Sequence, residues 1–192
     1  MLQQTQTDRV KPKFEQFIAA FPNFQTLANA PFDAVLRAWK GLGYNRRAIG
    51  LQKIAQLVVS EHQGILPNKP EILETFPCIG KATSCSVTTF AYNTPTTFIE
   101  TNIRTVFIHF FFSGQTSVHD KDIAPLVAQS VDPLNSREWY YALMDYGVML
   151  KKTVGNLSQK SSHHHKQSRF IGSDRQVRGL ILQILLDHHI LH

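Results

Sequence analysis

Cysteine is scarce in this 192-residue chain, which has two, Cys78 and Cys85. Two thiols cannot by themselves ligate an iron–sulfur cluster, and a structural disulfide between them is not expected in a reducing cytosol. Long apolar runs are missing as well. The longest, near Val106 to Phe112, is broken by His109 and falls far short of a bilayer span. Gln3, Gln4 and Asp8 follow Met1 where a secretory signal needs an apolar core, so a cytoplasmic protein without membrane attachment is expected. No stretch alternates apolar and polar residues long enough for a strand, and no repeat is present. Acidic residues number 14 against 20 Lys and Arg, which leaves a formal charge of +6 and a surface that draws polyanions.

What remains suffices for one domain or two small lobes: hydrophobic content is 43%, ordinary for a globular chain with a sizeable core. Val10, Phe14, Phe17, Ile18 and Phe21 predict a helix from Asp8, with Pro12 tolerated in its first turn. Pro31-Phe32-Asp33 opens another, carrying Val35, Leu36 and Trp39 and ended by Gly41 and Gly43. A tight turn then leads into a long amphipathic helix whose stripe is Ala48, Leu51, Ile54, Ala55 and Val58. Arg46 and Arg47 fall in its first turn, a poor place for cations unless a phosphate is near; a solvated pair is the alternative. Further helices are expected over Asp122 to Ser130, Arg137 to Leu150 and Arg175 to Leu186, the last with Val177, Leu180, Ile181, Ile184 and Leu185 facing a core. The pattern is all-α.

The chemistry concentrates between Phe76 and Val106. A short helix from Glu71 to Phe76, a turn Pro77-Cys78-Ile79-Gly80 and a helix from Lys81 to Tyr92 make a helix–hairpin–helix. The N-terminus of its second helix offers backbone N–H groups, and Lys81, to a phosphate; an ordinary helical hairpin is the alternative. Phe98 to Ile103 then brings Glu100 to the interior beside Thr101 and Asn102, and TVFIHFFF follows as a buried helix. From Lys151 to Gly172 Ser, Lys and His dominate, with His163, His164 and His165 in a row. Consecutive histidines cannot all point at one ion, so no metal is expected there.

MLQQTQ, ANAPFDAVLRAWKGLGYNRRAIGLQKIA, FPCIGKATS, ETNIRTV and ALMDYGVML, in that order, resemble the helix–hairpin–helix base-excision DNA glycosylases. The branch most similar is the adenine glycosylase that removes adenine opposite 8-oxoguanine, with endonuclease III a near cousin. The resemblance covers the chain up to the end of ALMDYGVML. It implies two helical lobes with a DNA cleft between them, expected at 1–105, a helical barrel lobe holding the hairpin at 76–92, and at 106–192; beyond the resemblance, composition alone predicts a basic Ser/His-rich, DNA-facing loop at 151–172. The target nucleotide is flipped out of the duplex into the cleft.

Glu100 stands where the family usually has aspartate, and with Asn102 it forms the expected catalytic pair. The carboxylate stabilises an oxocarbenium-like sugar and helps water attack it, while Asn102 helps position the site. The extra methylene matters, because a misplacement of about 1 Å can cost about 100-fold. A helix-capping or salt-bridged acid is the alternative for Glu100. Ala82 occupies the position of the Schiff-base lysine of endonuclease III, so imine chemistry loses its nucleophile and a monofunctional DNA N-glycosylase is implied. DNA contacts are implied for Gln3, Gln4 and Thr5 at the opposite base and for Tyr44 as a wedge with Leu42 beside it. Arg46 and Arg47 join them, as do Cys78, Ile79, Gly80, Lys81 and Thr83 of the hairpin. A polar loop and a core aromatic are the alternatives for Gln3 and Tyr44.

Three departures stand out. The family's purine-protonating glutamate precedes MLQQTQ and is not in this sequence, which implies reduced activity, uncovered helix faces and a gene truncated or read from a late start. Its cluster cysteines follow MDxGA, where this chain has Lys151, so neither an iron–sulfur cluster nor another cofactor is expected. The resemblance implies a domain for recognising 8-oxoguanine that is not expected here, and Cys78 replaces the first hairpin glycine. The implied partner is double-stranded DNA with a mismatched or damaged base, bound by a monomer associated with a bacterial or archaeal nucleoid. The alternatives are a catalytically impaired DNA-binding relative and an endonuclease III-like glycosylase of other base specificity.

Overall fold

Ten α-helices carry the residues that the computed structural model describes, namely 1, 2, 5, 7–162 and 169–188. Among them no strand forms, and one isolated parallel bridge joins Val118 to Ser161. The all-α expectation holds. The chain packs as two units, one of Met1–Pro67, Phe76–Cys78 and Gln167–His192, the other of Asn68–Thr75 and Ile79–Lys166.

The first unit contains α1 (Thr7–Ala20), α2 (Phe24–Ala28), α3 (Phe32–Trp39), α4 (Arg46–Glu61) and α10 (Asp174–Asp187). Asn23 and Thr26 form a capping box that starts α2. Val10 and Phe17, Val35, Leu36 and Trp39, and Ala48 and Ala55 make a single core, with Phe17 edge-on to Trp39 at 6.0 Å. The buried Gln52 amide donates to the Ala30 carbonyl at 2.7 Å, which satisfies a polar group inside that core. From α10 only Leu186 is buried. Val177, Leu180, Ile181 and Ile184 are 51–56% exposed instead of facing a core, and Phe14 and Ile18 of α1 are also exposed. Periodicity groups side chains on one helix face; whether anything covers that face is a tertiary matter.

The second unit contains α5 (Pro70–Leu73), α6 (Lys81–Tyr92), α7 (Thr101–Phe111), α8 (Asp120–Ser130) and α9 (Ser136–Thr153). Tyr140 is fully buried at its centre, stacked on Phe98 at 4.1 Å. Its hydroxyl donates to the Thr96 carbonyl at 2.7 Å and accepts from the Phe98 amide at 3.4 Å, so the extended segment entering α7 is pinned from α9. Burial pushes this phenol up to about 12.

Three expectations change here. α5 stops at Leu73 rather than Phe76. The end of α7 is not buried, since Phe110 and Phe111 are more than half exposed. The segment from Lys151 is also not loop throughout: α9 runs on to Thr153 and a 3-10 turn spans Leu157–Lys160. Val118 donates to the Lys160 carbonyl and Ser162 to the Val118 carbonyl, so backbone pairing straps this segment down despite its polar composition. His163, His164 and His165 lie outside the described residues.

Candidate active site and nucleic-acid interface

Glu100 is extended, at φ −122° and ψ 178°, and α7 begins immediately after it. Its Oε1 accepts from the amides of Asn102 at 2.7 Å and Ile103 at 3.0 Å, two donors that a helix start otherwise leaves unpaired. Glutamate is not a favoured N-cap, because the extra methylene must fold back to reach these amides. The capping reading of Glu100 is therefore realised, and the cap also fixes where the carboxylate sits. Oε2 receives the Asn102 side-chain amide at 3.4 Å.

Asn102 is held from its other side, where Lys151 Nζ donates to its Oδ1 at 2.6 Å. Burial depresses the Lys151 ammonium below the ordinary lysine range; Glu100 opposes that shift and Arg104 adds to it. Arg104 pairs with Asp120 of α8 through two bonds of 2.7 Å, so its charge is spent there and not on Glu100. Lys151 reaches the site because α9 passes close to α7 at Gly147, one helical turn earlier. A Cβ at Gly147 would lie 2.5 Å from the Asn102 carbonyl oxygen. Sequence reading placed Glu100 and Asn102 together but missed Lys151. Its only signal was the four-residue step from Gly147 along one helix face.

The second arm of the hairpin spans Lys81–Tyr92 as expected, while the first is the shortened α5. Gly80 is the N-cap of α6, at φ −105° and ψ 175°, with no side-chain cap bond. Gly80, Lys81 and Ala82 are exposed, while Ile79 and Thr83 are half-buried. Ser84 Oγ, at 3.1 Å from Glu74 Oε1, ties the hairpin's two arms. Cys78 adopts φ +64°, a left-handed conformation that a glycine reaches without cost. Its side chain lies on α4, where a Cβ on Gly50 would be 2.9 Å from Cys78 Sγ.

In the first unit Tyr44 is exposed, with φ +50°, in the turn before α4. The Arg47 guanidinium sits 5.4 Å from the ring centres of both Trp39 and Tyr44 and donates to the carbonyls of Met1, Leu42 and Gly43 at 3.3 Å. Arg47 thus builds the turn that presents Tyr44, whereas Arg46 is exposed. Leu42, expected beside the wedge, is 4% exposed and belongs to the core, because the turn folds it inward. Thr5 is half-buried and donates to the Leu42 carbonyl at 3.3 Å. Gln3 and Gln4 lie outside the described residues.

An iron–sulfur cluster does not fit the cysteines present. Four thiolates are needed, and the chain's two cysteines are Cys78, exposed on the first unit, and Cys85, buried in the second.

Among known proteins, residues 1–129 match the HhH-GPD superfamily of base excision DNA repair proteins. The adenine DNA glycosylase of Buchnera aphidicola subsp. Baizongia pistaciae is 33% identical over 78% of this chain and 43% of its own length. That of Mycolicibacterium smegmatis is 32% identical over 97% of this chain and 69% of its own. The chain thus spans between less than half and about two thirds of these relatives. In fold it resembles a thermostable thymine-DNA glycosylase, with a TM-score of 0.66 at 22% identity over 77% of this chain and 70% of the other. It also resembles endonuclease III in a non-covalent DNA complex, with a TM-score of 0.59 at 14% identity over 94% and 80%. With its hairpin, its helix-capping acid and these matches, the chain belongs to the HhH-GPD superfamily of base excision DNA repair proteins.

Proposed function

We propose that the chain is a monofunctional DNA N-glycosylase, hydrolysing the N-glycosidic bond of adenine mispaired with guanine or 8-oxoguanine. The Glu100 carboxylate carries this reading. One of its oxygens is tied to two amides at the start of α7 and the other faces Asn102, inside the segment that matches the family. A carboxylate fixed before the substrate arrives stabilises the cationic sugar of the transition state without reorganising, and water completes the displacement at C1′. The N-terminus of α6, with Gly80, Lys81 and Thr83, grips a backbone phosphate. Tyr44 wedges between base steps while the target base is turned out of the stack.

No amine is available for imine chemistry at position 82, which is alanine, and Lys151 Nζ is engaged by Asn102. Trapping with borohydride should therefore fail. The enzyme acts as a monomer on duplex DNA and works without a cluster. The role of Glu100 as a helix cap favours one second reading, a DNA-binding relative that excises nothing.

Glu100→Gln separates the two. It keeps an acceptor for the cap but removes the charge. On an adenine:8-oxoguanine duplex under single turnover it should lower base release by at least about 100-fold and leave duplex affinity unchanged. A wild-type chain that binds but releases no base from any mismatched duplex leaves the second reading in possession.

A further inference from the structure

Asn102 is clamped between two groups of fixed chemistry. A lysine ammonium only donates, so the Asn102 oxygen must face Lys151 and its NH2 must face the Glu100 carboxylate. The order Lys151 Nζ, Asn102 carboxamide, Glu100 Oε2 leaves that amide one orientation. Lys151 thus supplies a donor wired to the acid.

We propose that Lys151 is a positioning residue for base excision: it holds the Asn102 carboxamide so that its NH2 supports Glu100. The inference rests on the glycosylase reading above and adds to it a residue of α9. Three features carry it. The bond to Asn102 is 2.6 Å long, short for a charge-assisted contact. Gly147, by admitting the Asn102 backbone within van der Waals distance, sets the register that brings Lys151 over the carboxamide. Arg104, the other cation nearby, is occupied by Asp120, so the support falls to Lys151.

The test compares Lys151→Met, Lys151→Gln, Asn102→Ala and the double variant Lys151→Met/Asn102→Ala in the full chain. On the mispaired duplex, Lys151→Met should slow single-turnover excision by about 10- to 100-fold with duplex affinity unchanged. Lys151→Gln, which restores an N–H donor, should recover part of that loss. The double variant should be no slower than Asn102→Ala alone, because both changes break one unit. An unchanged rate in Lys151→Met, or losses that multiply in the double variant, overturns the inference. The side-chain amide resonances of Asn102 give a readout that needs no turnover. They should shift and broaden in Lys151→Met, and spectra identical to wild type overturn the clamp. A chain with no excision at all counts against the glycosylase reading, while these resonances still decide the role of Lys151.

Discussion

Gly147 of α9 and Asn102 of α7 meet backbone to backbone, where a methyl group on the glycine would fall 2.5 Å from the Asn102 carbonyl oxygen and 2.8 Å from its Cβ. No flexible side chain stands at that contact to yield. Gly147→Ala must therefore push α9 off the start of α7. The expected cost is about 1–3 kcal/mol, the usual range for overpacking, or a fall in melting temperature of about 2–4 °C per kcal/mol. Excision should fall as well, since Lys151 moves with α9. A thermal melt and a single-turnover assay on the same preparation check both, and a variant as stable as wild type would count against this packing.

Tyr140 gives the unit an alkaline limit. Its phenol is raised in the folded state to about 12 from an ordinary 10, so the unfolded chain releases that proton first. The folded state then binds more protons than the unfolded one, and stability falls as pH rises through that window. Below pH 10 the contribution is complete. Tyr140→Phe should remove this limb and also orphan the Thr96 carbonyl, at about 1–3 kcal/mol near neutrality. Urea midpoints of both proteins from pH 8 to 11 read the difference.

Lys81 stands exposed in the first turn of α6. Lys81→Ala should weaken DNA binding to all sequences alike and reduce the slope of log K against log salt by about one. An unchanged slope would remove the hairpin from the list of phosphate anchors.

Arg47 holds its turn through two aromatic faces and three carbonyls. Arg47→Met keeps the stem but loses those bonds, so the expected destabilisation is about 1–3 kcal/mol. Loss of affinity beyond that of Arg46→Ala would show that the presentation of Tyr44 matters to binding. Anisotropy with a mispaired duplex compares the two.

Local rules made much of this protein legible before any coordinates. Helical periodicity and the glycine turns fixed α3, α4 and α6 nearly to the residue, because those signals act within a few neighbours. The order of short motifs identified the hairpin and put Glu100 and Asn102 side by side. Tertiary packing decided the rest. Val177, Leu180, Ile181 and Ile184 form an apolar stripe in either view, yet it lies open, since periodicity cannot say what faces a helix. Leu42 went inward and Arg47 was drawn into the turn, choices made by neighbours 39 to 44 acting together. Lys151 lay 49 residues from Asn102 in the chain. A hydrogen bond between them exists only because Gly147 lets two helices touch, and closeness of that kind is a property of packed surfaces, which no linear pattern records.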